Sequence, residues 1–118
     1  MKDLIADGSS LQVFERAAEL FGLLSTPVRL RIVSALCKGE KNVSELRSLI
    51  DAAQPNISQH LTMLYRSGVV AKRRSGAQVF YRIDDEFSGL VCRAVCSQVV
   101  AEVADAVQAP DANSLSTD

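Results

Sequence analysis

A chain of 118 residues with a hydrophobic fraction of 47% is long enough for one compact domain and too short for two. Its formal net charge is -1, and no apolar run approaches the ~20 residues that span a bilayer; Asp3 and Asp7 stand where a signal peptide would be apolar, so a cytoplasmic protein without membrane contact is expected. Three cysteines, Cys37, Cys92 and Cys96, are an odd set without CxxC spacing, which excludes the disulfide framework of a secreted domain and leaves thiols.

Residues 1–10 are polar and expected to be flexible, and residues 11–107 read as the single domain. Apolar residues at Val13, Phe14, Ala17, Leu20, Phe21 and Leu24 give Leu11 to Leu24 the period of an amphipathic helix. Thr26 before Pro27 is an N-cap with proline in the first helical position, which starts a second helix running to about Cys37 and burying Leu30, Val33, Ala35 and Leu36. Gly39 ends it. Asn42-Val43-Ser44-Glu45 carries capping residues for a third helix with Leu46, Leu49 and Ile50 inside. A turn at Asp51, Ala52 and Ala53 leads to a fourth helix, opened by Gln54-Pro55 and closed by Ser67-Gly68.

Val69 to Arg74 and Gln78 to Ile83 are rich in Val, Phe and Tyr, with Ser75-Gly76-Ala77 between them, which predicts a β-hairpin. Glu86 to Val107 is a last long helix. Phe87, Leu90, Val91, Ala94 and Val95 form one apolar face and Val99, Val100, Val103 and Val107 another, more than a small domain can cover alone, so a second copy is the expected cover. Residues 108–118 are expected to be a disordered tail. The predicted class is mainly α with a small β-hairpin, in the order αααα-ββ-α, a winged helix-turn-helix.

Charge singles out one part of this layout. Between Ala52 and Ile83 there is no acidic residue, yet Arg66, Lys72, Arg73, Arg74 and Arg82 fall there; from Asp84 onward seven acids, Asp84, Asp85, Glu86, Glu102, Asp105, Asp111 and Asp118, face Arg93 alone. The basic block coincides with the fourth helix and the hairpin, an electrostatic footprint for a polyanion. On that helix Ile57, Leu61 and Leu64 make an apolar stripe, which turns Asn56, Gln59, Thr62, Met63 and Arg66 outward. Gln54, Asn56, Ser58, Gln59, His60 and Thr62 are candidates for reading base edges in the major groove, with adenine the natural partner of Asn and Gln. Lys72, Arg73 and Arg74 on the hairpin are candidates for positioning contacts to backbone phosphates, and Arg66 and Gln78 are further candidate DNA contacts. If two subunits neutralise ~6 to 8 phosphates, log K should fall against log salt with a slope of roughly -5 to -7. An enzyme is not expected, because a catalytic cysteine needs a base and the lone histidine, His60, lies on the reading helix.

The run Leu24-Ser25-Thr26-Pro27-Val28-Arg29-Leu30-Arg31-Ile32, then Val43-Ser44-Glu45-Leu46, Asn56-Ile57-Ser58-Gln59-His60-Leu61-Thr62-Met63-Leu64, Gly68-Val69-Val70 and Gln78-Val79-Phe80-Tyr81-Arg82-Ile83 resembles the ArsR/SmtB family of bacterial winged-helix repressors. The resemblance runs from about Leu11 to Val103. It implies a homodimer built on the first and last helices, bound to double-stranded operator DNA without ligand and released by an inducer.

The inducer site departs from the patterns of the family it resembles. Val43-Ser44-Glu45-Leu46-Arg47 has no Cys-x-Cys; Asp85 matches a ligand position of the zinc and nickel sensors, but Phe87 and Gln98 stand where imidazoles are expected, which excludes a histidine-rich zinc site. The remaining candidates are Cys92 and Cys96, four residues apart on the last helix beside Val99 and Val103 near the expected interface, with Cys37 at the end of the second. Three readings stand side by side: capture of a soft metal or metalloid such as As(III), a disulfide or polysulfide between Cys37 and the last helix, or three packing residues.

Overall fold

The computed structural model describes residues 10–50 and 56–108. The expected turn at 51–53, the helix opening at Gln54-Pro55, the first nine residues and the last ten lie outside them. In chain order the elements are α1 (Ser10–Leu23), α2 (Pro27–Cys37), β1 (Lys41–Asn42), α3 (Val43–Leu49), α4 (Ile57–Arg66), β2 (Val70–Ser75), β3 (Gln78–Ile83) and α5 (Glu86–Gln108). Among them no single helix is long and apolar enough to cross a membrane; α1 and α2 meet at 92°.

Local chemistry explains the helix ends. Thr26 sits in extended backbone, accepts a hydrogen bond from the Arg29 N–H at 3.1 Å, and Pro27 follows in the first turn. Asn42 and Glu45 form a reciprocal capping box, with Asn42 Oδ1 accepting from Glu45 N–H at 2.8 Å and Glu45 Oε1 from Asn42 N–H at 2.9 Å. At the far end of α4, Gly68 adopts φ +82; its N–H donates to the Tyr65 carbonyl and that of Val69 to the Leu64 carbonyl. That pair of bonds needs a left-handed residue where glycine stands, and it turns the chain straight into the wing.

The sheet has three antiparallel strands in the order β1-β3-β2, one more than the hairpin expected. Lys41 and Asn42 pair with Tyr81 and Phe80, so the loop before α3 is stitched to the wing's second strand. In the hairpin Ser75 pairs with Gln78, leaving only Gly76 and Ala77 in the turn, where Gly76 supplies the positive φ of +62.

Val28, Ile32, Val33 and Leu36 of α2 form the centre of the core, against Leu46, Ile50, Ile57, Leu61, Leu64, Val69, Val70 and Cys92. Two expected core sets need correction. Leu30 and Ala35 are only half-buried, because the buried stripe of α2 runs through Val28 and Ile32 instead. Leu49 is 61% exposed: on so short a helix it points roughly 80° away from the mean direction of Leu46 and Ile50.

The inner face of α5 is made of small residues. Ser88, Gly89 and Cys92 are buried against α2, whereas Phe87, Leu90, Val95, Val99, Val100, Val103 and Val107 are exposed. A Cβ on Gly89 would lie 3.2 Å from Cys37 Sγ, so glycine there permits the close approach of the two helices. The large apolar residues that dominate the sequence pattern of α5 therefore remain without cover among the described residues.

Candidate nucleic-acid interface and thiol pair

Helix α4 buries Ile57, Leu61 and Leu64 and leaves Asn56, Ser58, Gln59, Thr62, Met63, Tyr65 and Arg66 exposed. Asn56 is the N-cap residue and its side chain makes no capping bond, so its amide is not used up in holding the helix. Thr62 donates its hydroxyl to the Ser58 carbonyl at 2.9 Å. Gln54 lies outside the described residues. His60 stands apart from this exposed row: it is half-buried, and its Nδ1 accepts a hydrogen bond from Arg29 Nε at 3.1 Å, while Arg29 Nη1 donates to the Leu23 carbonyl at 3.3 Å. An Nδ1 that accepts is unprotonated; burial, and secondarily the Arg29 charge, hold His60 below the ordinary histidine range. His60 thus ties the exposed helix to the α1–α2 corner.

The wing joins α4 through Lys72, whose ammonium lies 4.4 Å above the centre of the Tyr65 ring. Strand alternation divides its basic run, since neighbouring residues point to opposite faces. Lys72 and Arg74 share the face paired with Tyr81 and Val79, and Arg73 lies on the other, opposite Phe80. There the Arg73 guanidinium makes two short hydrogen bonds to Glu40, Nε to Oε2 at 2.8 Å and Nη2 to Oε1 at 2.7 Å, and lies 4.8 Å from the centre of the Phe80 ring. The hydrogen bonds from Arg73 hold the Glu40 carboxyl below its usual range. Arg66, Lys72 and Arg74 make no ion pair with any described residue. Gln78 accepts from Asn42 Nδ2 at 3.3 Å, which ties the wing tip to the cap of α3.

The three cysteines are free. Cys92 and Cys96 come within 3.9 Å at sulfur, and Cys92 Sγ lies 3.6 Å from the Leu30 carbonyl oxygen. Contrary to the interface position expected from the sequence, Cys92 is 1% exposed inside its own protomer's core, whereas Val99 and Val103 on the same stripe are exposed. The reason is that α5 runs past the body: its first half packs on α2 and its second half does not. Burial pushes the Cys92 thiol up to about 12, helped by Cys96 and Cys37 nearby and opposed by Arg93. Cys96 is half-buried in the wall of a cavity of about 250 Å³ that Leu30, Arg31, Ser34, Leu49 and Ile50 also line. Cys37 lies in a different cavity, with Ile83, Glu86, Gly89 and Arg93. Among the described residues no group of three His, Cys, Asp or Glu side chains is placed to hold a metal ion. Two thiols alone do not fit the three- or four-donor shell of As(III) or zinc.

Sequence reasoning missed Glu40, Arg29 and the short strand β1. None carries a local signal, since Glu40 meets a side chain 33 positions away and Arg29 one 31 positions away.

A three-stranded winged helix-turn-helix with an exposed polar helix beside a basic hairpin defines a class of nucleic-acid-binding domain. Comparison with known proteins places the chain within it. Residues 26–72 match the family described as bacterial regulatory protein, arsR family. The biofilm growth-associated repressor of Xylella fastidiosa is 45% identical over 74 residues, 60% of this chain and 65% of that protein. The crystal structure of the transcriptional repressor BigR from Xylella fastidiosa superposes with a TM-score of 0.65 at 37% identity, covering 75% of this chain and 93% of that one. A domain from Mycobacterium bovis described as a homodimeric winged helix-turn-helix DNA-binding domain superposes with a TM-score of 0.64 at 26% identity, covering 81% and 87%. The chain belongs to the ArsR/SmtB family of regulators. It spans just under two thirds of the length of the first of these relatives, the biofilm growth-associated repressor.

Proposed function

We propose that this protein is a cytoplasmic, homodimeric transcriptional repressor that reads double-stranded operator DNA through α4 and its wing and is released when an inducer acts on Cys96. The observation that carries the DNA-binding part is the juxtaposition of the exposed Asn56, Ser58, Gln59 and Thr62 with Lys72 and Arg74, which make no ion pair among the described residues, joined by the Lys72–Tyr65 contact. Polar groups able to bond base edges then sit beside cations able to bond phosphate. Anisotropy on a duplex from the gene's own promoter tests it. Replacing Gln59 with Ala should cost about 1 to 3 kcal/mol of discrimination and leave the salt slope unchanged, whereas Arg74→Ala should weaken all duplexes alike and flatten the slope. Binding that ignores sequence and both substitutions would end the repressor reading.

The sensing part rests on the difference between the paired thiols. Cys92 is buried with its thiol held un-ionised, which favours a packing role, whereas Cys96 opens on a cavity that Arg31 also lines. A reactive sulfur species or oxidant is favoured over a metal because two thiols form an incomplete metal shell. Attack by Cys96 on the sulfur of a polysulfide leaves that sulfur bonded to Cys96 and expels the rest of the reagent as a thiolate. Added atoms at Cys96 must then be accommodated between α5 and the α2–α3 side of the domain. Polysulfide, peroxide, As(III), Cd(II) and Zn(II) should be titrated into the protein–DNA complex. Release by polysulfide or peroxide that Cys96→Ser abolishes is the expected result; release by the metals alone, or release that survives Cys96→Ser, contradicts it.

A further inference from the structure

The wing carries three successive basic residues, Lys72, Arg73 and Arg74, but they are not equivalent. Arg73 has one edge of its guanidinium closed by both oxygens of Glu40 and one face laid over Phe80. Glu40 comes from outside the acid-free stretch, on the turn between α2 and β1, and β1 pairs with the same strand that carries Phe80. The carboxylate is therefore held in place by the sheet itself. A DNA phosphate gains affinity from a protein cation by replacing condensed counterions, and a cation already neutralised by a two-point carboxylate has that much less to offer.

Building on the DNA-binding reading above, we propose that Glu40 regulates the operator affinity of this protein by withholding Arg73 from the DNA backbone. From the run Lys72 to Arg74 each protomer then presents two cations, one fewer than the sequence suggests. The arrangement lowers affinity for every duplex alike, so operator and non-specific binding weaken together and discrimination is left to the contacts of α4.

The test measures anisotropy of the full chain against a promoter duplex over a range of salt, with E40Q, E40D, R73A and the E40Q/R73A pair. E40Q removes the charge and one acceptor oxygen, so it should bind several-fold more tightly at low salt and steepen the slope by roughly 1 to 2 for a dimer, about 0.9 for each new phosphate contact. E40D keeps the charge beside Arg73 and should retain the wild-type slope. In the R73A background the E40Q change should have no further effect. Equal strengthening by E40Q in both backgrounds would mean a general loss of negative charge, and unchanged or weaker binding by E40Q would mean a purely structural pair; either overturns the proposal. A wild-type chain that fails to bind the promoter duplex in a salt-dependent way would instead remove the underlying DNA-binding reading, and that is seen before any substitution is made.

Discussion

At Gly89 a single missing methyl sets the distance between two helices. A Cβ there would meet Cys37 Sγ at 3.2 Å and Arg93 Nη1 at 3.6 Å, while the helix itself would prefer alanine to glycine by about 1 kcal/mol. The two effects oppose each other, and the sulfur decides the sign because overpacking costs about 1 to 3 kcal/mol where a neighbour cannot give way. Gly89→Ala should thus destabilise the wild-type chain and stabilise a Cys37→Ala chain, a coupling of about 1 kcal/mol in urea midpoints across the four-variant cycle. Additive effects would show that α2 and α5 have slack at this point, and that Cys37 does not set their spacing.

Among the elements, α4 is fixed at three places: its apolar stripe, the glycine turn into the wing, and the Arg29–His60 bond. The last of these depends on pH. His60 titrates below its ordinary range in the fold, so between that lowered value and the unfolded value near 6.5 the unfolded chain binds more protons. The stability it contributes is complete above the unfolded value and is lost as pH falls through the folded one. Urea unfolding at about pH 7.5 and about pH 5.5 should show a larger acid loss in the wild type than in His60→Asn, whose amide oxygen can take the place of Nδ1 without titrating. An equal loss in both would assign the acid sensitivity to carboxylates elsewhere. The elements whose signals are local were legible in the sequence: the Thr26-Pro27 start, the Asn42–Glu45 box, the stripe of α4 and the Gly68 stop each lie within one or two turns of chain. What escaped notice has distant partners or small side chains. A two-residue strand of Lys and Asn carries no alternation to read, and the buried face of α5 is Ser88, Gly89 and Cys92, which no hydrophobic pattern would single out while larger residues point outward. The candidate site divided in the same way: outward positions on α4 follow from helical phase, but the pairing of Arg73 with Glu40 follows only from the tertiary fold.

For the whole molecule the governing observation is the apolar surface of α1 and α5. Phe14, Phe21, Phe87, Val100 and Val107 are each more than 60% exposed, and an apolar groove of about 230 Å³ between the two helices is lined by Ala17, Leu20, Phe21, Leu24, Phe87, Ser88 and Val91. Covering one large apolar side chain contributes roughly 1.5 to 3 kcal/mol, and association costs an estimated 4 to 15 kcal/mol, so a stable pair needs several such side chains from each protomer. Leu11, Phe14, Phe21, Phe87, Leu90, Val99, Val100, Val103 and Val107 supply them, with no other described element to cover them. A carboxylate placed in that surface would be buried in the pair without a partner, a cost of several kcal/mol repeated on both protomers. Val100 is suited to the test because at 66% exposure it contributes little to the protomer's own core. Val100→Glu should sediment at the mass of one 12.8 kDa chain with an unchanged circular dichroism spectrum, whereas Val100→Ala should remain a dimer. Operator affinity should fall together with dimerisation, because two joined reading helices share one cost of association and separate ones do not. A Val100→Glu chain that remained dimeric would place the contact elsewhere on α1 and α5, and one that became monomeric yet kept full operator affinity would mean that a single α4 and wing suffice.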